Sequence, residues 1–345
     1  MSDLLIGLGL LGATALAGVA ALSYAQQHKV QRQYQRAQLA LRQDPDTADA
    51  QAIADTAPAF LPIHKLPLLP EPLDSLIDSI VPLNLHGMRY GEALLAAMPD
   101  TRRVGGKALL FEALNMQTQE WEYPRAGEQY SQMQLGVQLI QGAHRLNNID
   151  FSEFAAAANH YAEKIHATAE LPDMRSEMER AKDLEKFVQE ADLEVLLCVS
   201  SRQTPWSAGY IQQHAQRLGF IAGAYPGRMV YSLPWSEGAE PQPIFALNFD
   251  AQAALAEDLS DSALHQIRLT LAVPQVPRHL QPYDKLRQTA VDFAAKMDGY
   301  ISDEQGRAIS AEFMDSMAEA LDAVYDQLDA RDLAAGSPLA RRLFA

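Results

Sequence analysis

The pattern of hydrophobic and polar positions divides the chain into a long apolar run, a polar Pro-containing stretch and a region of mixed periodicity. Residues 4–25 are almost continuously apolar. About 22 residues of α-helix, rising about 1.5 Å each, cover the roughly 30 Å hydrocarbon layer of a bilayer. The run therefore predicts a single transmembrane helix.

The charges on either side of this helix predict its direction. Lys29, Arg32, Arg36 and Arg42 follow the apolar run, whereas residues 1–3 contain no basic side chain. Basic residues close to a span resist translocation. We therefore expect a short extracytoplasmic tip at residues 1–3 and a cytoplasmic location for the bulk of the chain.

Three other interpretations of the apolar run fit the sequence less well. A cleaved signal peptide requires a basic start and a shorter apolar core, and only Ser23-Tyr24-Ala25 fits its cleavage site. Gly7–Gly12 matches the dinucleotide-binding spacing GxGxxG but lacks the preceding strand and the following acidic residue. Small residues spaced four apart from Gly9 to Ala25 allow self-association through the membrane helix, although an Ala-rich membrane composition explains them more simply.

The segments after the membrane helix differ in composition. Residues 26–72 become rich in Asp, Ala, Thr and Pro, which predicts an extended tether. Globular periodicity begins at Leu73 and predicts a first α+β domain at 73–190, a second domain at 191–332 and a tail at 333–345.

Strand and helix patterns occur twice in the same order in the soluble part. In the second half, strands are predicted at 195–199, 228–233, 244–249 and 267–273, with a short helix at 210–218 after the first of them. Two helices follow, on apolar faces that include Leu286, Ala290 and Phe293 in one and Met317, Leu321 and Val324 in the other.

The first half repeats this order. Strands are predicted at 76–85, 108–114, 120–123 and 133–140, a short helix at 91–98, and two longer helices through Phe154 and Leu184. The halves share little sequence identity, so the alternative of two unrelated α+β domains stays open. The predicted fold is α+β, with two tandem antiparallel-sheet domains behind one transmembrane helix.

Alternation along the strands predicts a sheet with one face beneath helices and one face open to solvent. Phe245, Leu247 and Phe249 should face the helices, and Ile244, Ala246 and Asn248 should face outward. In the next strand Leu269, Leu271 and Val273 belong inward, which leaves the residues between and before them outward: Arg268, Thr270 and Ala272.

Composition excludes several classes of partner. The 345 residues carry a net charge of −16, which opposes binding to nucleic acid. The single cysteine, Cys198, excludes an intramolecular disulfide and a multi-cysteine zinc site. Only the cations after the span and the tail residues Arg341 and Arg342 could approach an anionic lipid surface.

Catalytic and metal-binding patterns are weak. His160 and His166 are six apart and lie on different faces of a helix, unlike zinc-binding pairs. Asp298, Asp303 and Glu304 lack the alternating ligands of a calcium loop and are expected in a turn between helices. Cys198 on a strand is expected to be a small apolar residue, and Trp121 a core residue. We expect no cofactor, no metal and no enzymatic activity.

Several strings in the second half are similar to the C-terminal domain of the bacterial cell-division protein family ZipA, over about 193–332. The similar strings are Val195-Leu196-Leu197-Cys198-Val199, Gly219-Phe220-Ile221, Arg228-Met229-Val230-Tyr231, Ile244-Phe245-Ala246-Leu247 and Leu269-Thr270-Leu271-Ala272-Val273-Pro274. Two long predicted helices follow the last string, as in that family. A single N-terminal span with a cytoplasmic bulk is also the arrangement of that family. The resemblance implies a ZipA-like split β-α-β domain, and the first half resembles a degenerate second copy.

The resemblance also implies a function. ZipA-like proteins tether FtsZ to the inner membrane at midcell by binding its C-terminal tail peptide as a helix on the open sheet face. Transferred position by position, the binding face comprises Leu196, Cys198, Arg228, Val230, Ile244, Ala246, Asn248, Thr270 and Ala272. Arg228, Asn248 and Thr270 make this face more polar than the family's apolar groove.

Two alternatives remain open. The chain could be a membrane-anchored binding module for another envelope or division protein, with one site in each sheet domain. It could also be an enzyme built on the first half, which would require a deep polar pocket with perturbed titratable groups.

Overall fold

The computed structural model describes residues 72–99, 101–260 and 262–345, which form two compact units. The first unit contains the described residues from 72 to 192 together with Pro274–Arg278 and Tyr325–Ala345, and the second contains Leu193–Val273 and His279–Val324. The predicted span at 4–25 and the predicted tether up to residue 71 lie outside the described residues. Among the described helices, none is both long and apolar enough to cross a bilayer.

The first unit alternates strands and helices along the chain. Its described elements are β1 (Asp78–Leu85), β2 (Arg89–Tyr90), α1 (Gly91–Ala97), β3 (Arg103–Val104), β4 (Lys107–Asn115), β5 (Trp121–Glu122), β6 (Gln129–Gln138), β7 (Ile140–Gln141), β8 (His144–Arg145), α2 (Asn148–Ile165), β9 (Ala167–Ala169) and α3 (Met174–Ala191). The main sheet has the order β3-β4-β6-β1-β9, with β2 beside β6 and β5 beside β4.

One face of the first sheet packs against α2. This helix begins where the side chain of Asn147 accepts hydrogen bonds from the amides of Ile149 and Asp150. Its apolar face reaches the sheet through Tyr161, whose ring stacks edge-on against Phe111 at a centroid distance of 5.5 Å. The face of the sheet that packs against α2 is therefore the one that carries Phe111 and every second residue of β4 on either side of it.

The second unit has the same kinds of elements. They are β10 (Glu194–Ser201), α4 (Ala208–Arg217), β11 (Phe220–Ala222), β12 (Arg228–Pro234), β13 (Pro241–Asn248), α5 (Ala251–Ala254), β14 (Gln266–Ala272), two 3₁₀ turns (Val273–Gln275 and Arg278–Leu280), α6 (Pro282–Lys296) and β15 (Gly299–Ser302). The strands form one antiparallel sheet with the order β11-β12-β13-β14-β10-β15. Helix α7 (Ala311–Asp329) follows, and α8 (Pro338–Leu343) closes the chain in the first unit.

The inward face of the second sheet packs against α6. Leu286, Ala290 and Phe293, which share one face of this helix, are all fully buried. The ring of Phe293 lies 5.9 Å from that of Phe220, which also contacts Phe245 at 5.8 Å. These aromatic contacts join helix and sheet, so the opposite face of the sheet is the one left without this helix.

The two units share a strand topology. The order β4-β6-β1-β9 in the first sheet corresponds to β13-β14-β10-β15 in the second, and every neighbouring pair is antiparallel. In both units a helix lies between the last two of these strands in the chain. The structure confirms the mixed α+β class with antiparallel sheets, and the repeated strand order matches the repetition expected from the sequence.

The structure also differs from the sequence-based element list. A short strand separates the two later helices in each unit: β9 in the first and β15 in the second. The segment around Asp298 and Asp303, expected as a plain turn between helices, flanks β15. The tail contains α8, and the structure groups Tyr325–Ala345 with the first unit rather than separating a tail at residue 333.

Candidate functional site

The outward face of the second sheet brings together the residues selected from the sequence. Residues paired across neighbouring strands share a face. Val230 pairs with Ala246, Ala246 with Thr270, and Thr270 with Leu196. Four strands thus contribute one continuous row, which we call the apolar row because three of its four members are apolar.

A second row runs parallel to the apolar row. Arg228 pairs with Asn248, Asn248 with Arg268, and Arg268 with Cys198. Because alternate residues of a strand lie about 6.6–6.8 Å apart, the two rows have about that spacing. We call Arg228, Asn248 and Arg268 the polar row.

A glycine turn fixes the register of this face. Gly227 has φ +75°, and a side chain at this position would overlap the carbonyl oxygen of Phe249. The Phe249 amide donates to the Gly227 carbonyl at 2.8 Å. The start of β12 is therefore held against the end of β13, which pairs Arg228 with Asn248.

The nine expected residues differ in exposure. Arg228 and Ala272 are exposed, and four others are partly exposed: Leu196, Val230, Asn248 and Thr270. Cys198, Ile244 and Ala246 retain only 0%, 2% and 3% of their surface. The accessible surface is therefore smaller and more polar than the full set of nine residues indicates.

Cys198 belongs to the interior of the sheet. Burial raises the pKa of its thiol to about 12, and the carboxylates of Glu304 and Asp303 act in the same direction, whereas the Arg268 guanidinium lowers this pKa. A thiol that stays protonated at neutral pH is a poor nucleophile. Cys198 therefore serves as a small buried side chain.

Hydrogen bonds order the side chains at both ends of the face. Asn248 donates through Nδ2 to Thr270 Oγ1 at 3.1 Å, which links the polar row to the apolar row. Toward β15, the hydroxyls of Ser200 and Ser302 lie 2.7 Å apart. Gln266 donates through Nε2 to Ser200 Oγ at 3.3 Å and to the Asp303 carbonyl at 3.1 Å.

Arg268 is the residue that the selection by resemblance missed. It lies between Asn248 and Cys198 in the polar row and is exposed. Its alternation with Leu269 and Leu271 already predicts an outward position, but it was not among the nine expected binding residues. The alternation of inward and outward residues along the strand is therefore the sequence feature that identifies Arg268 as part of this face.

The equivalent face of the first sheet is partly covered by the chain itself. Ile80, Gly136 and Leu110 pair across β1, β6 and β4 on the face opposite α2. A side chain at Gly136 would overlap the end of Leu73, so Leu73 lies over this glycine. The Leu73 amide also donates to Glu112 Oε1 at 2.9 Å.

The C-terminal helix contacts the same face of the first sheet. Asp78 and Gln138 pair at its end, and Arg342 forms an ion pair with the fully buried Asp78. Gln138 Nε2 donates to the Arg342 carbonyl at 3.2 Å, and Arg342 Nη1 donates to the Pro72 carbonyl at 2.8 Å. Arg342 is thus held in the protein interior rather than presented to a lipid surface.

Burial shifts the pKa of Asp78. Removal from water raises its pKa above the ordinary value, and the Arg342 guanidinium lowers it in opposition. The pKa stays raised on balance, so the ionised form of Asp78 depends on the Arg342 guanidinium beside it.

Lys107 is a buried cation of the first unit with a shifted pKa. Lys107 is 1% exposed, and burial lowers its pKa to about 8, opposed by the carboxylate of Asp150. Its ammonium donates to the His144 carbonyl, which ties β4 to the β7–β8 hairpin. Among the described residues, no group of three or more His, Cys, Asp or Glu side chains is placed to hold a metal ion.

No protein-family profile matches the sequence, and no curated protein matches it.

Proposed function

We propose that the chain is a ZipA-like adaptor of bacterial cell division, a single-pass protein of the inner membrane that holds FtsZ to the membrane at midcell. In this proposal residues 4–25 anchor the chain in the lipid bilayer, residues 26–72 are the tether, and the second unit has the split β-α-β fold of that family. The outward face of its sheet receives the C-terminal tail of FtsZ as a helix.

One observation supports this proposal most strongly. Six of the nine residues selected by resemblance lie in the two cross-strand rows, and the helix that covers the other face of the sheet leaves these rows outward. A shallow face of this kind suits a helix held by a few apolar anchors with polar contacts at the rim. Many anchored copies along one filament then add avidity to modest single-site affinity.

Binding of the FtsZ tail peptide to the full-length chain in mild detergent tests the proposal. We expect saturable binding with a Kd on the order of 10 μM, in the range of a short helix on a shallow groove, measured by fluorescence anisotropy of a labelled peptide. A peptide with the same residues in scrambled order is the control. Equal signals from the two peptides would remove FtsZ as the partner.

A second candidate function is favoured by the polarity of the face. Arg228, Asn248 and Thr270 replace part of the apolar groove that the family presents, and this suits a different envelope or division protein as partner. Localisation of a fluorescent fusion separates the two candidates. Accumulation at midcell that depends on FtsZ favours the adaptor, and an even distribution around the membrane favours the other partner.

A further inference from the structure

The arginines of the polar row differ from most other arginines of the second unit. Arg202, Arg287 and Arg307 each pair with an aspartate: Asp298, Asp315 and Asp303 respectively. Arg228 and Arg268 are exposed, and neither makes a side-chain hydrogen bond or ion pair with the described part of the chain. In a chain of net charge −16, two uncompensated arginines on one sheet face need a physical reason.

Their spacing is set by the strands. Asn248 stands between them, so their Cα atoms are separated by two inter-strand steps, about 10 Å in total. This is close to the Debye length at about 0.1 M salt, so the two cations repel each other only weakly in the free protein. A partner that supplies negative charge removes that repulsion and gains two charge-assisted contacts.

A single helix fits both rows. A helix rises about 1.5 Å per residue, so side chains seven residues apart lie about 10.5 Å apart on one face. A helix about 10 Å wide that runs across the strands covers both the polar row and the apolar row. Carboxylates at positions i and i+7 then meet Arg228 and Arg268, while apolar side chains on the adjacent face of the same helix meet Val230 and Leu196.

Three carboxylates of the second unit lie at the margins of this face. Glu194 pairs with Ala272 beyond the apolar row. Asp303 and Glu304 lie near Cys198 at the β15 side, and Asp303 is engaged by Arg307 at 2.6 Å. The arginines of the polar row therefore attract an acidic helix, and the carboxylates at the margins repel it.

From these observations we infer that Arg228 and Arg268 are the specificity residues of the proposed peptide site and that they select a helix with acidic residues on one face. The inference rests on the proposed function, because it concerns the same face and the same peptide. It adds that recognition depends on two carboxylate contacts as well as on apolar anchors.

Charge reversal tests the inference. The full-length chain with Arg228→Glu and Arg268→Glu is compared with the wild type and with Arg217→Glu, an exposed arginine on α4 that is outside both rows. The probes are the FtsZ tail peptide and a version in which each Asp and Glu is replaced by its amide. We expect the double reversal to weaken binding of the acidic peptide about tenfold or more, with little change in Arg217→Glu.

The salt dependence and the amide peptide separate the possible failures. The inference predicts that the wild type prefers the acidic peptide at low salt and that this preference fades as salt rises. Binding of both peptides with equal affinity, unchanged by the double reversal, would overturn the inference but leave the proposed function intact. Absence of binding by the wild type to either peptide would overturn both. Circular dichroism of each variant establishes that its fold is retained.

Discussion

At the scale of single residues, burial divides the expected binding face into two groups. Thr270 is partly exposed in the centre of the apolar row, whereas Ala246 beside it retains 3% of its surface. A charge at Ala246 would therefore disturb the sheet as well as any partner. Thr270 is the better position at which to test the face.

Replacement of Thr270 by Glu should weaken peptide binding while the domain stays folded. A carboxylate at this position repels an acidic helix and competes for Arg268 on the same strand. We expect at least about a tenfold loss of affinity, which corresponds to about 1.4 kcal/mol. Thr289→Glu on α6 is the matched control, because it introduces the same charge on the helix layer. Equal losses in both variants would place the site elsewhere.

The ion pair between Asp78 and Arg342 predicts a large stability effect. Arg342→Met leaves a buried carboxylate without its partner, and such a change costs about 3–5 kcal/mol. The free energy of unfolding of the first unit, measured by chemical denaturation, gives this cost. The double variant Asp78→Asn with Arg342→Met removes both charges and should recover part of the loss. A double variant less stable than Arg342→Met would contradict a charge-based explanation.

The pH dependence of this variant follows from the raised pKa of Asp78. Without Arg342 the pKa rises further, so the folded state holds a proton over a pH range in which Asp78 of the unfolded chain, with a pKa of about 3.9, has lost it. The free energy of unfolding therefore decreases as pH rises through that range. The deficit relative to the wild type should be greatest at neutral pH and shrink toward the unfolded pKa.

At the scale of elements, local pattern predicted most of what the structure shows. The period of apolar positions marked Leu286, Ala290 and Phe293 as one helix face, and all three are buried. Alternation also assigned the two faces of β13 and β14. These features depend on near neighbours in the chain, which is why the sequence alone contains them.

Elements that depend on distant contacts were not predicted. Strand β15 has four residues and pairs with β10 about 100 positions earlier in the chain. The tail helix has six residues and is stabilised by Ser337, whose side chain accepts from the Ala340 amide, and by contacts of Arg342 with the start of the first unit. Trp121, expected in the core, is 39% exposed on a two-residue strand.

The contact between Leu73 and Gly136 predicts a coupling between two elements. Gly136→Ala places a methyl group where Leu73 lies, so we expect a loss of about 1–2 kcal/mol as Leu73 is displaced. In a Leu73→Ala background the same change should cost less, because the added methyl group no longer meets the Leu73 side chain. What remains is the preference for Ala over Gly within a strand, about 0.5–1 kcal/mol. A double-mutant cycle measures this difference. Additive effects would show that Leu73 does not occupy the space above Gly136.

At the scale of the whole molecule, the two units present their sheets differently. The first sheet has its outward face contacted by Leu73 and by Arg342 of the C-terminal helix. The second sheet leaves Arg228, Arg268 and Ala272 exposed. A repeated topology thus has one copy partly occupied by its own chain and one copy with accessible residues, and we propose the second as the site for a partner.

The proposed anchor gives a prediction for the intact chain. Full-length protein should remain in the membrane fraction after alkaline carbonate washing, because a transmembrane helix resists extraction. A variant that lacks residues 1–25 should move to the soluble fraction. Release of the full-length chain by carbonate would show that residues 4–25 do not span the bilayer.

Cross-linking in cells from position 270 tests the central claim most directly. A photoreactive residue in place of Thr270 should form an adduct with FtsZ, and the adduct should disappear when FtsZ lacks its C-terminal tail. The same residue at Thr289, on the helix layer, should give none. No FtsZ adduct from position 270, or adducts of equal strength from both positions, would contradict the proposal that the outward face of the second sheet receives the FtsZ tail.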